Sequence, residues 1–275
     1  MPLKMKKILI TGASGYLEKK LKKKLKKKKF KIYIISKKKI SGTIHLGKSL
    51  KNNNIKKTSK FDLIIHCAAK GVYKNENKKI LYKVNFIDSI NFFKKLYKAQ
   101  NYKWIFIGTS SEYGYIKNKA FSVKNTKLKP IDDYGKSNVK FFFKIKKMKF
   151  RANFQILYLR LFHVYGGDEP KTRLYPSLLK AIKDKKNFKM TDGSENRDFI
   201  RINTVLNKIN ESLVYFKKKK NLFINKHIAN GKKTSVKNFA NQLWKKHKSK
   251  KKIIYNAVSK KNGYHSMYSD KASLI

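Results

Sequence analysis

Short apolar runs alternate along this chain with longer segments in which apolar residues recur every three or four positions. The runs lie at 8–10, 31–35, 61–69, 103–107, 155–162 and 221–228, with a weaker one at 43–46. Short runs rich in isoleucine and leucine are typical of buried strands, and the wider spacing is typical of helices that pack on one face. The alternation predicts an α/β fold, a doubly wound parallel sheet with helices on both faces.

Helical spacing follows most of the predicted strands. The apolar positions are Leu17, Leu21 and Leu25 in the first helix, Val84, Ile87, Ile90 and Phe93 in the second, and Val139, Phe142, Phe143 and Ile145 in the third. Later helices are predicted around 175–183, up to Val214, and from a Ser235 cap through Trp244. The leucine stripe of the lysine-rich first helix also fits a membrane surface, but we favour packing on the sheet.

The net charge is far from that of an ordinary globular protein. The 275 residues include 70 Lys or Arg and 15 Asp or Glu, a formal net charge of +55. Such a charge attracts nucleic acid, anionic membranes and phosphorylated metabolites alike. All but five of the basic residues are lysine, however, and asparagine and isoleucine are also abundant, as A/T-rich codons would produce. We therefore favour compositional drift, and expect any nucleic-acid binding to be nonspecific because arginine, the better reader of bases, is scarce.

Cysteine usage and hydropathy indicate the compartment. Cys67 is the only cysteine, which excludes an internal disulfide and fits a reducing cytosol. No apolar run approaches the roughly 20 residues of a membrane span, and the first apolar run is the opening strand rather than a signal peptide. We expect a cytoplasmic protein without a membrane span, whose fold begins close to Met5-Lys6-Lys7.

The opening strand runs into a glycine-containing turn that is typical of a phosphate site. The turn is Thr11-Gly-Ala-Ser-Gly15, and the first predicted helix follows it. Glycine lets the backbone approach a ligand, and a helix N-terminus supplies unpaired N–H groups and a partial positive charge. The second strand ends in Ser36-Lys37-Lys38 instead of the Asp or Glu usual for NAD, which favours the 2′-phosphate of NADP.

Further short motifs follow the later strands in a fixed order. They are His-x-Ala-Ala at 66–69, Asn85, Ser-x-Tyr-Gly at 111–114, Tyr-Gly-x-Ser at 134–137, Arg-x-Phe-x-Val-Tyr-Gly at 160–166 and Arg-Asp-Phe-Ile at 197–200. Together with the opening Thr-Gly-x-x-Gly, this series resembles the NAD-dependent epimerase/dehydratase family, the extended short-chain dehydrogenase/reductases that act on nucleotide sugars. Each motif alone is weak, but seven in register are strong, and with the later stretches at 229–236 and 270–272 the resemblance covers nearly the whole chain.

The resemblance implies a domain organisation, a cofactor and a partner. A Rossmann dinucleotide-binding domain is expected at 1–162, with a smaller C-terminal substrate-binding lobe at 163–275, of which about 199–245 returns to the first domain. NAD or NADP is the implied cofactor, and a nucleotide sugar is the implied substrate. We also expect a homodimer and no metal site.

The resemblance also implies residue roles for hydride exchange with nicotinamide. By position, Thr109 steadies the substrate oxygen and Tyr134 is the general acid/base. The family's lysine, which holds the ribose and lowers the tyrosine pKa, falls on Asn138. Implied cofactor contacts are Gly12, Ser14, Gly15, Tyr16, Leu17, Cys67, Ala68, Ala69, Asn85, Tyr134 and Phe162. Implied substrate contacts are Ser110, Ser111, His163 and Arg197.

Other positions depart from the family pattern. Glu18 stands where the third glycine normally approaches the pyrophosphate, and its carboxylate would repel phosphate. His163 replaces the usual Asn, Gly167 the usual Pro, and Asn203-Thr204 the usual Asp-Asp. Ser110-Ser111 stand in place of the Asp-Glu pair of dehydratases, which argues against dehydration chemistry.

The sequence therefore predicts NAD(P)-dependent redox modification of a nucleotide-activated sugar, as a 4-epimerase or 4-keto-reductase. Two alternatives stay open. A degenerate relative would keep the fold and bind nucleotide with little or no turnover, which Asn138 and Glu18 favour. A polyanion-binding protein on the same scaffold is the third class, which the net charge alone supports.

Overall fold

The computed structural model describes residues 6–12, 15–26, 30–51, 54–56, 59–71, 77–98, 102–114, 119–148, 154–217, 221–259 and 266–275, apart from the side chains of Glu18, Lys26 and Lys217. The strands are β1 (Lys7–Thr11), β2 (Lys31–Ile35), β3 (Ile44–Gly47), β4 (Leu63–His66), β5 (Lys103–Thr109), β6 (Gln155–Leu161), β7 (His163–Tyr165), β8 (Phe188–Lys189), β9 (Asn196–Arg197), β10 (Phe199–Arg201), β11 (Leu222–Ile228), β12 (Thr234–Ser235) and β13 (Ile253–Ile254). The α-helices are α1 (Tyr16–Lys26), α2 (Lys78–Tyr82), α3 (Ser89–Lys98), α4 (Asp133–Lys146), α5 (Leu174–Lys183), α6 (Ile202–Glu211) and α7 (Val236–Lys246).

A seven-stranded sheet forms the centre of the fold, in the order β11-β6-β5-β4-β1-β2-β3. Every neighbouring pair is parallel, which confirms the predicted doubly wound sheet. Strands β2 and β3 lie on one side of β1, and β4 lies on the other side of β1. The strand order therefore reverses between β1 and β4, and ligands bind at the carboxyl ends of strands beside such a switch point.

One face of the sheet is covered by α1 and α6. Leu17, Leu21 and Leu25 are buried in the same apolar cluster as Val205 and Ile209 of α6. The leucine stripe therefore packs on the sheet, as predicted, and Lys19 and Lys23 between the leucines are exposed.

The other face of the sheet is covered by α3 and α4, and here two predicted apolar positions are wrong. Ile87 is 49% exposed and Phe143 is 42% exposed. A π-helical segment at Lys83–Asp88 separates α2 from α3, so the spacing that placed Ile87 on the buried stripe does not hold through it. Phe143 directly follows the buried Phe142, and adjacent residues on a helix point in different directions.

The C-terminal part contributes to two packing units. Helix α6 covers the sheet and β11 extends it beside β6, whereas α5 and α7 pack on each other around Leu178, Ala240 and Trp244. The Ser235 Oγ caps α7 by accepting from the Asn238 N–H at 3.0 Å. The predicted domain boundaries stay a prediction. Within the described ranges, no helix is both long enough and apolar enough to cross a membrane.

Candidate functional site

A cleft of about 860 Å³ lies along the carboxyl ends of the central strands. It brings together most of the residues expected to bind cofactor or substrate. Those that line it are Gly12, Gly15, Tyr16, Leu17, Cys67, Ala68, Ala69, Thr109, Ser110, Ser111, Tyr134, Phe162, His163 and Arg197. Ser14 lies outside the described residues, and Asn85 and Asn138 are not among the lining residues. The volume is in the range of a site for a small molecule or cofactor.

The first turn of the chain forms the wall of the cleft at the switch point. Gly12 adopts φ +76°, and its N–H donates to the Ile35 carbonyl oxygen at 2.8 Å. A Cβ at this position would lie 2.9 Å from the backbone N and Cα of Ala68. The turn and the strand end after β4 therefore touch backbone to backbone. This close approach places the N-terminus of α1 at the cleft, where the helix dipole favours a pyrophosphate, so the residues present fit a dinucleotide.

Replacing Gly12 by alanine is expected to weaken dinucleotide binding by about tenfold or more, roughly 1.4 kcal/mol, because the new Cβ forces the turn away from Ala68. Quenching or enhancement of nicotinamide fluorescence measures the affinity. Gly231→Ala is the matched control, since Gly231 also has a positive φ (+69°) but does not line the cleft. Equal affinity in wild type and Gly12→Ala would contradict this placement of the pyrophosphate.

His66, at the end of β4, joins that strand to Thr11 at the end of β1 through a buried hydrogen bond. Its side chain is buried, and its Nδ1 and Nε2 lie 3.0 Å from the Thr11 Oγ1 and the Ser89 Oγ. The Ser89 Oγ donates to the Val84 carbonyl oxygen, so the Nε2–H donates to Ser89 and the Nδ1 accepts from Thr11. The Thr11 Oγ1 in turn accepts from the Ala68 N–H at 3.3 Å. Burial lowers the pKa of His66 to about 4, which fits this neutral tautomer.

Thr109 is positioned by a buried ion pair. Its Oγ1 accepts from the Ser111 N–H at 3.2 Å, and its own N–H donates to the Glu112 Oε1 at 3.0 Å. The Glu112 carboxylate also accepts from the Arg160 Nε at 2.6 Å and from the Tyr158 hydroxyl at 2.8 Å. Glu112 and Arg160 are fully buried. The pair fixes the turn after β5 and with it Thr109, which lines the cleft.

Tyr134 lies in the cleft wall at the start of α4, while Asn138 lies one turn further on and is buried. The Asn138 Nδ2 donates to the Tyr134 carbonyl oxygen at 2.8 Å. Asn85 also lies behind the wall, where its amide donates to the Ser137 Oγ at 2.9 Å and to the Lys70 carbonyl oxygen at 3.0 Å. The Lys70 N–H donates back to the Asn85 Oδ1 at 2.8 Å. Asn85 therefore joins the loop after β4 to α4.

The opposite end of the cleft is formed by the C-terminal part of the chain and is cationic. Arg173 and Arg197 both line it. Burial and these two arginines lower the pKa of His163 to about 3, so this imidazole is neutral. Arg173 is held by the buried Glu169 at 3.3 Å. This end has the charge that an anionic substrate group requires.

Tyr16 connects the first turn with this cationic end. Its hydroxyl donates to the Gly166 carbonyl oxygen in the loop after β7. Burial and the Glu169 carboxylate raise the pKa of Tyr16 above its usual value, so the phenol remains a donor. Tyr16 thereby spans the cleft between the predicted cofactor side and the predicted substrate side.

Several cleft residues were absent from the sequence prediction. Lys48, Lys70, Pro170, Arg173 and Met267 line the cleft but come from irregular segments between elements. Arg173 could have been chosen from the sequence, because arginine is scarce in this chain. Nothing in the sequence distinguishes the other four. Lys70 and Lys48 are two lysines among many, and Met267 arrives from near the end of the chain.

Comparisons with known proteins agree with this geometry. The family described as NAD dependent epimerase/dehydratase matches residues 8–209, which is more than half of the chain. The chain is 28% identical over 201 residues to the GDP-6-deoxy-D-talose 4-dehydrogenase of Aggregatibacter actinomycetemcomitans, a match that covers 72% of this chain and 66% of that enzyme. The chain thus spans slightly less than two thirds of the length of this curated relative.

Solved structures share the fold over nearly the whole chain. The UDP-N-acetylglucosamine 4-epimerase of Methanobrevibacter ruminantium, in complex with UDP-N-acetylmuramic acid, aligns with a TM-score of 0.84, at 19% identity, over 98% of this chain and 91% of that one. The UDP-glucuronic acid 4-epimerase of Bacillus cereus, in complex with NAD, aligns with a TM-score of 0.79, at 20% identity, over 96% of this chain and 89% of that one. At such identities the likeness shows the fold.

Proposed function

Because the chain belongs to the NAD dependent epimerase/dehydratase family, we propose that it carries out an NAD(P)-dependent redox step at a sugar carbon of a nucleotide-activated sugar. The activity is that of a 4-epimerase or a 4-keto-reductase. The observation that carries the proposal is the convergence of the Gly12 turn, Thr109, Tyr134 and Arg197 on one cleft.

The residues of the cleft support separate roles in this reaction. A nicotinamide cofactor supplies the hydride exchange when it is bound. The Tyr134 phenol moves the proton to or from the sugar oxygen as general acid or base. The Thr109 Oγ1 accepts from the Ser111 N–H, and its own proton would donate to the same sugar oxygen and steady it. Ser110 and Ser111 bring no carboxylate beside the sugar, which fits redox chemistry without dehydration.

The cationic end of the cleft supports binding of the nucleotide diphosphate. Arg173 and Arg197 would each contribute charge-assisted hydrogen bonds to phosphate oxygens. The neutral His163 also lines the cleft and would serve as an uncharged hydrogen-bonding group toward the substrate. This division leaves the sugar itself to the middle of the cleft, next to Thr109 and Tyr134.

The charges near β2 and β3 support a preference for NADP. Lys37 and Lys48 follow these two strands and both line the cleft, and the Ser36 N–H donates to the Gly47 carbonyl oxygen at 3.0 Å, which holds the two strand ends together. The carboxylates that line the cleft in the described ranges, Asp88 and Asp132, lie elsewhere. NADP carries a 2′-phosphate that two lysines would bind. NAD has ribose hydroxyls instead, and these usually bind an Asp or Glu, which this corner does not provide among the described residues.

The surface of α2–α4 supports the expected homodimer. Ile80, Ile87 and Phe143 are each more than two fifths exposed on these neighbouring segments. Exposed apolar side chains of this size on neighbouring segments are the kind that a subunit contact would cover. The homodimer stays a prediction, which the molar mass in solution from light scattering decides.

A second candidate is a relative that binds nucleotide but turns over slowly or not at all. The buried Asn138 favours it, because its neutral amide cannot replace the charge of a lysine. The side chain of Glu18, the other suspected defect, is not among the described ones. Under this second proposal the cleft would still bind cofactor and sugar nucleotide.

Cofactor titration followed by turnover assays tests both candidates. We expect saturable binding of NADPH and of NADH at low salt, tighter for NADPH by about tenfold, the effect of one added charge contact of roughly 1.4 kcal/mol. Nucleotide sugars with UDP, GDP and dTDP are then tested for C4 epimerisation or keto reduction by NMR. Binding without turnover on any of them selects the second candidate. No saturable binding of either cofactor would overturn both.

A further inference from the structure

The middle of the cleft lacks a cation at the place where the family carries one. The residue four positions after Tyr134 is Asn138, and the Asn138 Nδ2 is already engaged with the Tyr134 carbonyl oxygen at 2.8 Å. A phenol that works near neutral pH needs its pKa lowered from roughly 10, and a nearby positive charge is the direct way to do so.

The other groups around Tyr134 do not supply that charge. Asp132 and Asp88 line the cleft, and their negative charge raises a neighbouring tyrosine pKa, although the Lys83 Nζ lies 2.6 Å from Asp88. Behind the wall, Glu112 is paired with Arg160, and burial raises the pKa of Tyr158 well above its usual value. On α4, Asp133 lies 3.9 Å from the Lys78 Nζ, and Lys136 is exposed.

Of the cationic side chains that line the described cleft, one comes from a segment that touches Tyr134. Lys37 and Lys48 belong to the ends of β2 and β3, and Arg173 and Arg197 belong to the C-terminal part. Lys70 lies in the loop after β4, directly before Gly71. A Cβ on Gly71 would lie 3.2 Å from the Tyr134 Cδ2, so this loop packs against the tyrosine ring.

The backbone at Lys70 is held in register with α4. Asn85 binds both the N–H and the C=O of Lys70, at 2.8 and 3.0 Å, and also donates to the Ser137 Oγ at 2.9 Å. The Ser137 Oγ donates to the Tyr134 carbonyl oxygen at 2.8 Å. One buried amide therefore ties the loop that carries Lys70 to the helix turn that carries Tyr134. Consecutive Cα atoms are about 3.8 Å apart, and a lysine stem of four carbons is long enough to bring its ammonium group from position 70 to the ring of Tyr134, which lines the same cleft.

We propose that Lys70, held by Asn85 on the loop after β4, supplies the positive charge that position 138 lacks and lowers the pKa of the Tyr134 phenol. Lys70 would not touch the substrate but would act by changing the ionisation of Tyr134, so it is a positioning residue. The effect of Lys70 on turnover rests on the proposed function, whereas the ionisation of Tyr134 is measurable without a substrate.

Ultraviolet titration of the phenols tests the proposal. The difference between wild type and Tyr134→Phe isolates the Tyr134 ionisation from the other tyrosines. We expect Lys70→Met to raise the titration midpoint of Tyr134 by about one pH unit, the scale of a neighbouring-charge effect. The matched control is Lys136→Met, which removes an exposed lysine two residues from Tyr134 and should leave the midpoint within about 0.3 units. Circular dichroism checks that both variants are folded.

Restoring the charge from the helix side completes the test. Adding Asn138→Lys to Lys70→Met should return the midpoint to the wild-type value or below it. If Lys70→Met and Lys136→Met shift the midpoint equally, the effect belongs to the overall charge of the protein and the proposal is overturned. A specific shift at Lys70 in a protein that turns over no nucleotide sugar would leave the proposal standing and remove the proposed function instead.

Discussion

Acidification from about pH 7.5 to about pH 5 is expected to lower the free energy of unfolding by about 4 kcal/mol. Two buried histidines account for this amount, and His163, whose pKa is also lowered to about 3 although its side chain is only partly buried, adds to the loss. His66 and His227 are 6% and 0% exposed, and burial lowers their pKa values to about 4 and about 3, with the Arg160 charge adding to the effect at His227. Each contributes about 2 kcal/mol at pH 5, which is a large part of the 5–15 kcal/mol that stabilises a typical domain.

The sign follows from which state binds the proton first. In the unfolded chain these imidazoles titrate near pH 6.5, whereas in the folded protein they stay neutral down to about pH 4 or below. Between those values the unfolded state holds more protons, so the free energy of unfolding rises with pH in this window. Burial raises the pKa of Asp198 and of Glu169, and these two carboxyls act in the opposite direction.

Urea unfolding at the two pH values measures the effect, and a histidine variant isolates its source. The His227 ring lies 2.5 Å from the Tyr113 hydroxyl and 2.7 Å from the Ser269 Oγ, and a glutamine keeps a hydrogen-bonding amide in this pocket without a titrating group. The variant His227→Gln should lose about 2 kcal/mol less than wild type between pH 7.5 and pH 5, because one titrating group is gone. A free energy of unfolding that is constant across this range would contradict the neutral, buried state of both rings.

Replacement of Tyr134 by phenylalanine is expected to reduce turnover of the nucleotide sugar by about 100- to 10,000-fold and to leave cofactor affinity within about twofold. The ring of Tyr134 packs beside Gly71, and phenylalanine preserves that packing while it removes the hydroxyl. The loss should appear in kcat and kcat/KM together, because proton transfer occurs only in the reacting complex. Steady-state kinetics by NMR or nicotinamide absorbance measures it.

A second tyrosine serves as the control for this substitution. Tyr255 lies outside the cleft, and its hydroxyl donates to the Asn241 Oδ1 at 2.5 Å. The variant Tyr255→Phe removes the same atom and should turn over like wild type. Full turnover by Tyr134→Phe would assign the proton transfer to another group and would contradict the role given to Tyr134 here.

The order of elements followed from local pattern. Strand-length apolar runs and helical spacing predicted a parallel doubly wound sheet. A strand that is buried on both faces is a continuous apolar run, and a helix that is buried on one face has apolar residues every three or four positions. Carboxyl ends of parallel strands meet along one edge, so the motifs after β1, β4, β5 and β6 were expected to converge there, and they line one cleft. The helical spacing wrongly predicted burial at Ile87 and Phe143. Ile87 lies in the π-helical segment, and Phe143 points away from the buried Phe142 beside it.

Whether a polar side chain enters the cleft or stands behind its wall was decided by tertiary structure. Asn85 and Asn138 belong to motifs that resemble cofactor-binding ones, yet their amides hold backbone and side-chain atoms of the wall itself. Arg173, Lys48 and Lys70 enter from irregular segments, which carry no periodic signal. The chain by itself determined the parallel sheet and the carboxyl edge at which a ligand is expected, because these depend on short-range periodicity, whereas the strand order and its switch point came from the structure. The charges that face the ligand depend on how distant loops meet, and only the packed fold decides that.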